Sequence, residues 1–337
     1  MTTAGRVAGA ADAGTATAVA HPNIALIKYW GKRDEAQQLP ATGSLSLTLG
    51  IAPTTTTVEL DESLSEDIGT LNDDEMVGKD LSRVQKFLEL VRERAGDNSL
   101  PYARVTTTNE IPTGAGLASS ASGFAALTLA ATAAYGLDLT EAQLSALARR
   151  GSGSACRSIY GGLVEWLPGE DDASSHAVQL PESGLELALV VAVLSPGRKK
   201  IDSRAAMRNT VQSSPFFPAW VENVPGEIEQ MKKAIADADF TAVGSLAESN
   251  AMRMHATMLG AVPPVRYWNA DSVAALDLVA TLRDEGTECY ATMDAGPNVK
   301  IICRPADADA IAQRFRAEFD GIDVLVSGHG PAAKVVS

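Results

Sequence analysis

The chain has 337 residues, of which 45% are hydrophobic and 21% are charged, and its formal net charge is −14. These values indicate a globular protein of one large or two ordinary domains, long enough to bury a core without disulfides or metals. The negative charge argues against a nucleic-acid partner, and it requires a local basic cluster to hold any anionic substrate. Cys156, Cys289 and Cys303 fit no zinc or disulfide pattern, so we expect a reducing, cytoplasmic compartment.

Two segments are candidates for targeting or membrane insertion: the N-terminal segment and the most apolar segment. Residues 1–18 are mostly Ala, Gly and Thr, which predicts a flexible tail rather than a signal peptide. Ala118–Tyr135 starts with several serines and is too short and too polar there for a bilayer span. We therefore expect a buried helix at this position and no membrane contact.

The first half of the chain mixes strand patterns with helical ones. Strands are predicted at Asn23–Tyr29, Ser44–Leu49, Thr54–Leu60, Tyr102–Thr108, Gly161–Trp166 and Glu186–Leu194. Helices are predicted at Asp80–Arg94, along the Ala-rich segment, and at Thr140–Arg150 with Thr140 as its N-cap.

The second half is more helical. Helices are predicted at Ala219–Ala238 with an interruption at Pro225-Gly226, Thr241–Met258, Ser272–Glu285 and Ala306–Phe319. Strands are predicted at Glu288–Met293, Val299–Cys303 and Val324–Val326. Because strands and helices mix without strict βαβ repetition, this order predicts an α+β sandwich, with a domain boundary at Pro196-Gly197. Neither a dinucleotide-binding nor a Walker-type glycine motif is present.

The segment Pro112-Thr-Gly-Ala-Gly-Leu-Ala-Ser-Ser-Ala-Ser122 is a candidate phosphate loop, since it follows a strand and opens the Ala-rich helix. Gly114 and Gly116 let a ligand approach the backbone, and the free N–H groups of a helix start attract phosphate. Ser119 and Ser120 add hydroxyl groups. The same residues are also typical of an ordinary glycine turn followed by a serine that caps the start of a helix.

This segment resembles the ATP-phosphate loop of the GHMP kinase superfamily, whose members have two α+β lobes with ATP between them. The resemblance implies an N-terminal lobe like domain 2 of ribosomal protein S5, over residues 19–196. It implies a ferredoxin-like α/β sandwich that completes the substrate cleft, over residues 197–337. The implied ATP-phosphate contacts are Gly114, Ala115, Gly116, Leu117, Ala118, Ser119 and Ser120.

A second motif, Asn23-Ile-Ala-Leu-Ile-Lys-Tyr-Trp-Gly-Lys-Arg-Asp34, places Lys28, Tyr29 and Lys32 at a glycine bend after a strand. Lysine and tyrosine side chains suit phosphate groups, although a solubilising basic strand end is the ordinary alternative. The motif resembles the N-terminal signature of diphosphomevalonate decarboxylases. That resemblance implies that Lys28 is catalytic and that Tyr29 and Lys32 bind substrate.

A third motif, Gly151-Ser-Gly-Ser-Ala-Cys-Arg157, resembles a segment of the same family, although a flexible Gly/Ser loop with a solvated arginine has similar letters. An arginine binds a carboxylate through two parallel hydrogen bonds. The resemblance implies that Arg157 holds the substrate carboxylate. It also implies that Ser152, Ser154 and Ser120 contact the substrate.

A fourth motif, Thr292-Met-Asp-Ala-Gly-Pro-Asn298, places Asp294 on a tight turn between two predicted strands. An aspartate that only stabilises its own turn is common beside Gly-Pro. The motif is similar to the decarboxylase segment that carries the catalytic aspartate. Shorter matches lie at Ser203 and Met207 and around Asn250 and His255, and His255 itself is expected to pack in the core.

Three positions depart from the family pattern. Gly43 stands where the family often has serine and removes a hydroxyl near the expected substrate pocket. Arg204 stands where threonine is frequent, and His21 replaces a small residue.

Together the resemblances imply ATP-dependent decarboxylation of mevalonate 5-diphosphate to isopentenyl diphosphate. ATP would be co-substrate with Mg²⁺, whose protein ligands the motifs do not reveal, and the family suggests a homodimer. One alternative is a related small-molecule kinase, a mevalonate 3-kinase or phosphomevalonate enzyme, that stops after phosphorylation. Another is a nucleotide-binding sensor without catalysis, which the presence of Asp294, Lys28 and Arg157 disfavours.

Overall fold

The structure is a computed structural model and describes residues 14–97, 99–110, 119–195 and 201–337. The strands in these ranges are β1 (Thr15–Ala20), β2 (Asn23–Ile27), β3 (Lys32–Asp34), β4 (Leu39–Pro40), β5 (Ser44–Thr48), β6 (Thr54–Asp61), β7 (Ile68–Leu71), β8 (Asp74–Glu75), β9 (Tyr102–Asn109), β10 (Leu163–Trp166), β11 (Ala177–Gln179), β12 (Ala188–Val193), β13 (Cys289–Met293), β14 (Val299–Cys303), β15 (Asp323–Ser327) and β16 (Lys334–Val335).

The α-helices are α1 (Gly78–Ala95), α2 (Ser119–Ala134), α3 (Glu141–Gly151), α4 (Ser203–Ser213), α5 (Phe217–Ala236), α6 (Phe240–Leu259), α7 (Ala270–Asp284) and α8 (Ala308–Glu318). Short 3₁₀ helices span Gly153–Ile159 and Pro305–Asp307. Thr140 caps α3, as predicted, and forms a reciprocal capping box with Gln143.

Three main sheets organise these elements. A six-stranded sheet has the order β16-β1-β6-β9-β7-β8, and two four-stranded sheets have the orders β11-β10-β5-β2 and β13-β14-β12-β15. Among the paired strands of these sheets only β7 and β9 run parallel. The fold is thus a two-lobed mixture of helices and mostly antiparallel sheets, and the α+β prediction is confirmed.

Buried side chains form three clusters that follow the same division. One cluster joins the six-stranded sheet to α1 and α2, and another joins β12–β15 to α7 and α8. The third contains Ile24 and Leu45 of the N-terminal lobe, Leu189 of the C-terminal lobe, and Val224 and Met254 of α5 and α6. This shared core fixes the two lobes against each other, and the candidate site lies beside it.

Two predictions about the N-terminal lobe and α5 are wrong in part. The flexible tail was predicted to reach residue 18, but Thr15–Ala20 forms β1, whose buried face consists of alanines packed under α2. Helix α5 was predicted to break at Pro225-Gly226, but it runs through both residues. Both residues are exposed, so water can satisfy the carbonyl group that proline leaves unpaired.

Strand pairing supports a change from one lobe to the other that comes before Pro196-Gly197. Pro196-Gly197 lies outside the described residues, but β12 already pairs with β14 and β15 of the C-terminal sheet. We therefore propose a division between β11 and β12. Within the ranges that the structure describes, no helix combines the length and apolar character that a bilayer span requires.

Candidate active site

A cleft of about 300 Å³ lies where the two lobes meet. Its walls come from the end of β2, the start of α2, the 3₁₀ segment, the start of α4, α6 and the turn after β13. The predicted site residues that line it are Lys28, Tyr29, Lys32, Ser119, Ser120, Ser152, Ser154, Arg157 and Asp294. The fold therefore brings four distant motifs together, while Gly114, Ala115, Gly116, Leu117 and Ala118 lie outside the described residues.

Lys28 is held at the end of β2 by both its backbone and its side chain. The backbone N–H donates to Asn250 Oδ1 at 2.7 Å, and Nζ donates to the Ala25 carbonyl at 2.8 Å. Nζ also contacts Asp294 Oδ1 at 2.8 Å. Burial lowers the pKa of Lys28, and Lys300 and Arg157 act in the same direction, whereas Asp294 opposes them. The ammonium is therefore fixed and poorly hydrated at the cleft wall.

Asp294 sits on the predicted tight turn between β13 and β14, whose register pairs Met293 with Val299. The Gly296 N–H donates to the Asp294 carbonyl at 2.8 Å and tightens this turn. The Asp294 side chain is 28% exposed, whereas those of Lys28 and Lys300 are 1% exposed. The carboxylate is thus partly open to solvent, while each of its oxygens lies near a buried ammonium group.

Arg157 projects from the 3₁₀ segment and is only 3% exposed. Its guanidinium donates to Asn23 Oδ1 at 3.0 Å, Ser44 Oγ at 2.6 Å and Ser46 Oγ at 3.0 Å. These acceptors are uncharged, and burial lowers the pKa of Arg157. A buried cation held by neutral groups favours an anionic ligand in the cleft.

Tyr29 packs its ring at 4.7 Å from that of Trp166, and burial raises the pKa of its hydroxyl. That hydroxyl has no hydrogen-bond partner among the described residues, so it is available to a ligand. Ser120 Oγ lies 3.2 Å from Ser152 Oγ and links the start of α2 to the 3₁₀ segment. Lys32 Nζ lies 3.6 Å from Glu35, and burial lowers the pKa of Lys32.

Two arginines in the cleft were missed as site residues by sequence reasoning. Arg83 of α1 and Arg204 of α4 both donate to the Gly151 carbonyl, at 3.3 and 3.2 Å. Burial and the proximity of Arg204 lower the pKa of Arg83 to about 10. No motif marks Arg83, because it stands among ordinary polar positions of α1. Arg204 was visible only as a departure from the family pattern.

Lys300 was also missed, although it follows the Asp294 motif in a strand that otherwise reads as apolar. Its Nζ lies 3.3 Å from Asp294 Oδ2 and 3.4 Å from the Asn298 carbonyl. A lysine between valine and isoleucine in a buried strand is the signal that could have identified it.

The departure at Gly43 and the position of His255 have structural explanations, and His21 does not line the cleft. Gly43 does not line the cleft, and a Cβ there would lie 2.9 Å from Ile228 Cδ1, so tight packing accounts for the glycine. His255 is packed in the core against Trp268, as predicted. Burial and the nearby Lys28 lower its pKa to about 3, so the imidazole is neutral at pH 7.

A second cavity, of about 270 Å³, adjoins the cleft and shares Arg83, Ser119 and Ser120 with it. Its other walls are largely apolar and come from Leu71, Met76, Val84, Val105, Phe124 and Leu127. Within the described ranges no group of three or more His, Cys, Asp or Glu side chains is placed to hold a metal ion. Hydroxyl and cationic groups dominate the floor of the cleft, which suits a metal that arrives bound to phosphate oxygens.

Comparison with known proteins points to one family over nearly the whole chain. Residues 20–177 match the family model of the diphosphomevalonate decarboxylase-like N-terminal domain. Residues 189–329 match that of the mevalonate 5-diphosphate decarboxylase C-terminal domain. The human diphosphomevalonate decarboxylase is 40% identical over 328 residues, covering 90% of this chain and 80% of the human one.

Solved structures agree with the sequence comparison. The mevalonate diphosphate decarboxylase from Staphylococcus aureus is 40% identical with a TM-score of 0.92, covering 96% of this chain and 98% of that one. A structure described as "MDDEF in complex with MVAPP, AMPPCP and Magnesium" is 43% identical with a TM-score of 0.91. The match covers 96% of this chain and 99% of that one.

Proposed function

This chain belongs to the diphosphomevalonate decarboxylase family, and on that premise we propose how its cleft carries out the reaction. The enzyme couples ATP to the decarboxylation of mevalonate 5-diphosphate and yields isopentenyl diphosphate, ADP, phosphate and CO₂. The observation that carries the site assignment is the convergence of Asp294, Lys28 and Arg157 in one cleft. They come from three separate motifs, and each is fixed by contacts within the described residues.

Asp294 accepts the proton of the tertiary hydroxyl of the substrate. Its carboxylate is anionic and partly open to the cleft, and Lys28 fixes one of its oxygens at 2.8 Å. The γ-phosphoryl group of ATP then passes to the substrate oxygen, a transfer that depends mainly on positioning and charge stabilisation. Lys28 supplies positive charge beside that oxygen from a site that water barely reaches.

Loss of the new phosphate leaves positive character on the tertiary carbon. The electrons of the adjacent C–C bond move toward it, CO₂ departs, and the double bond of the product forms. Arg157 orients the substrate carboxylate until this step. Because the hydrogen-bond acceptors of Arg157 are neutral, the substrate carboxylate can pair directly with its guanidinium.

The diphosphate end of the substrate lies among Tyr29, Lys32, Ser152, Ser154 and Arg204. These groups line one part of the cleft and include the unpartnered Tyr29 hydroxyl. ATP places its phosphates at Ser119, Ser120 and Arg83 and its base in the adjoining apolar cavity. Mg²⁺ bound to the nucleotide would neutralise charge on its phosphate oxygens.

Two wider predictions belong with this function. A cytoplasmic location is supported by three free, buried thiols, which suit a reducing compartment. A homodimer stays a prediction of the family resemblance, and light scattering of the purified chain tests it.

The test of the function is incubation of the purified chain with mevalonate 5-diphosphate, ATP and Mg²⁺ while ADP and CO₂ are followed together. We expect equal, ATP-dependent release of both products. Release of ADP without CO₂ identifies a kinase that stops after phosphorylation, and nucleotide binding without either product identifies a sensor.

A further inference from the structure

Lys300 is a buried lysine on a strand face that otherwise carries apolar side chains. Successive residues of a strand point to opposite faces, so Val299, Ile301 and Cys303 of β14 pack into the C-terminal core. Lys300 and Ile302 point the other way, toward the core shared by the lobes. Lys300 is 1% exposed, and burial of an ammonium group is costly unless its contacts compensate.

Among the described residues, Lys300 contacts Asp294 and the turn that carries it. Its Nζ lies 3.3 Å from Asp294 Oδ2, while Lys28 Nζ lies 2.8 Å from Oδ1. Its second contact, at 3.4 Å, is the Asn298 carbonyl at the far end of the same turn. One carboxylate is therefore held at both oxygens by ammonium groups from two lobes.

Among the described residues, more than one positive charge faces Asp294. Lys28 faces it from the end of β2, Lys300 from β14 and Arg157 from the 3₁₀ segment, whereas His255 of α6 is neutral. A single lysine would neutralise the carboxylate, so Lys300 adds positive charge that pairing alone does not require. That surplus favours the ionised form of Asp294 and opposes its rotation away from the cleft.

We propose that Lys300 is a positioning residue for the reaction, which holds Asp294 Oδ2 so that Oδ1 and Lys28 stay aligned toward the substrate hydroxyl. Lys300 does not itself touch the substrate, since it does not line the cleft. It acts through the orientation and ionisation of the carboxylate. This inference rests on the proposed function, because it assigns Lys300 to the step that Asp294 performs.

The test compares K300M, K300R and the unchanged chain in the ADP and CO₂ assay from low to high pH. Methionine keeps most of the buried volume and removes the charge. We expect K300M to lower kcat about 10- to 100-fold with little change in the KM for ATP, because Asp294 loses its alignment. We also expect the acidic limb of the kcat profile to move to higher pH, because a cation that favours the carboxylate is gone.

K300R keeps the charge but cannot reproduce both contacts of an ammonium group. We expect its acidic limb to stay in place and its kcat to fall several-fold. The matched control is K232M, since Lys232 Nζ also lies 3.3 Å from a buried carboxylate, that of Glu165, away from the cleft. K232M should leave both kcat and the pH profile unchanged.

Each outcome decides one claim. If the unchanged chain releases no CO₂, the proposed function fails. If that chain is active but K300M keeps its kcat within two-fold and its acidic limb in place, the inference is overturned. If K300M does not fold, K300R decides, because an unchanged kcat there means that the two contacts of the ammonium group do not align Asp294, which overturns the inference.

Discussion

At the residue scale, the site depends on how the protein compensates buried charge. Lys28 and Lys300 meet at Asp294, whereas Arg157 is held by uncharged oxygens. The first arrangement fixes an anion that can accept a proton. The second leaves a cation that the substrate carboxylate can pair with.

Asp294→Asn removes the proton acceptor while keeping the shape of the side chain. We expect kcat to fall about 10²- to 10⁴-fold, the range typical of a lost general base. Binding of a non-hydrolysable ATP analogue, measured by calorimetry, should stay close to that of the unchanged chain. Asp171→Asn, in an exposed loop, is the control, and near-normal turnover by Asp294→Asn would remove Asp294 from the mechanism.

Arg157→Lys replaces a planar fork by a point charge. Because the guanidinium is oriented by Asn23, Ser44 and Ser46 together, an ammonium cannot keep these contacts and bind a carboxylate as well. We expect kcat/KM for mevalonate 5-diphosphate to fall about 10²-fold, or ~2.7 kcal/mol. Steady-state kinetics measure this, with Arg316→Lys on α8 as control, and unchanged constants would contradict the role.

Sequence reasoning reached those residues that stand in recognisable motifs. The site residues Asp294, Lys28 and Arg157 could be predicted because each lies in a sequence motif that resembles a motif of the family. Asn250, which accepts from the Lys28 backbone, acquires its role only when α6 packs against β2. The shared contact of Arg83 and Arg204 with Gly151 likewise arises from tertiary packing across the lobes.

At the element scale, the 3₁₀ segment Gly153–Ile159 joins the substrate site to the core. The sequence of this segment is also compatible with a flexible Gly/Ser loop. In the structure, however, all residues of the 3₁₀ segment except Ser154 are buried. Gly153 packs so closely that a Cβ would lie 2.9 Å from the Tyr29 hydroxyl and 3.1 Å from Trp166. The glycine therefore sets where Tyr29 stands in the cleft.

Gly153→Ala should displace Tyr29 and weaken binding of the diphosphate. We expect the KM for mevalonate 5-diphosphate to rise several-fold, with the KM for ATP unchanged, and overpacking to cost about 1–3 kcal/mol of stability. Gly226→Ala is the control, because that helical glycine has no neighbour within 4 Å of an added Cβ. Equal kinetic constants for the two variants would show that Gly153 does not position Tyr29.

The elements that sequence reasoning missed have weak patterns. In β1, threonine and valine alternate with alanine, and the buried residues are the alanines, so no large apolar side chain marks the buried face of the strand. Strands β3, β4, β7, β8, β11 and β16 are two to four residues long, too short for a reliable alternation. The sequence predicts a break in α5 because it contains a proline and a glycine. It does not reveal that both residues are exposed, where a helix tolerates them.

At the scale of the whole molecule, a chain of net charge −14 concentrates basic side chains in one cleft. The cleft is lined by two acidic side chains, Asp202 and Asp294, and by five basic ones: Lys28, Lys32, Arg83, Arg157 and Arg204. A local basic cluster of the kind expected for an anionic substrate is therefore present in the cleft. Neutral His255 in the core beside the cleft keeps that cluster from gaining a further buried charge at pH 7.

His255 also makes stability depend on pH. Burial lowers its pKa to about 3 in the folded chain, against about 6.5 for an unperturbed histidine, so the unfolded state binds more protons between these limits. The free energy of unfolding therefore falls as pH drops below about 6.5, by at most ~5 kcal/mol from this group near pH 3. Urea unfolding from pH 7.5 to pH 5 should show a weaker pH dependence in His255→Gln than in His176→Gln, and equal slopes would contradict the assignment.

The measurement that tests the central claim most directly is a single turnover with enzyme in excess over mevalonate 5-diphosphate, in which ADP and CO₂ are quantified in the same quenched samples. The account predicts one ADP and one CO₂ for each substrate molecule, with ADP formed before or together with CO₂ and neither product formed without ATP. Formation of CO₂ ahead of ADP, or of ADP with no CO₂, would contradict it.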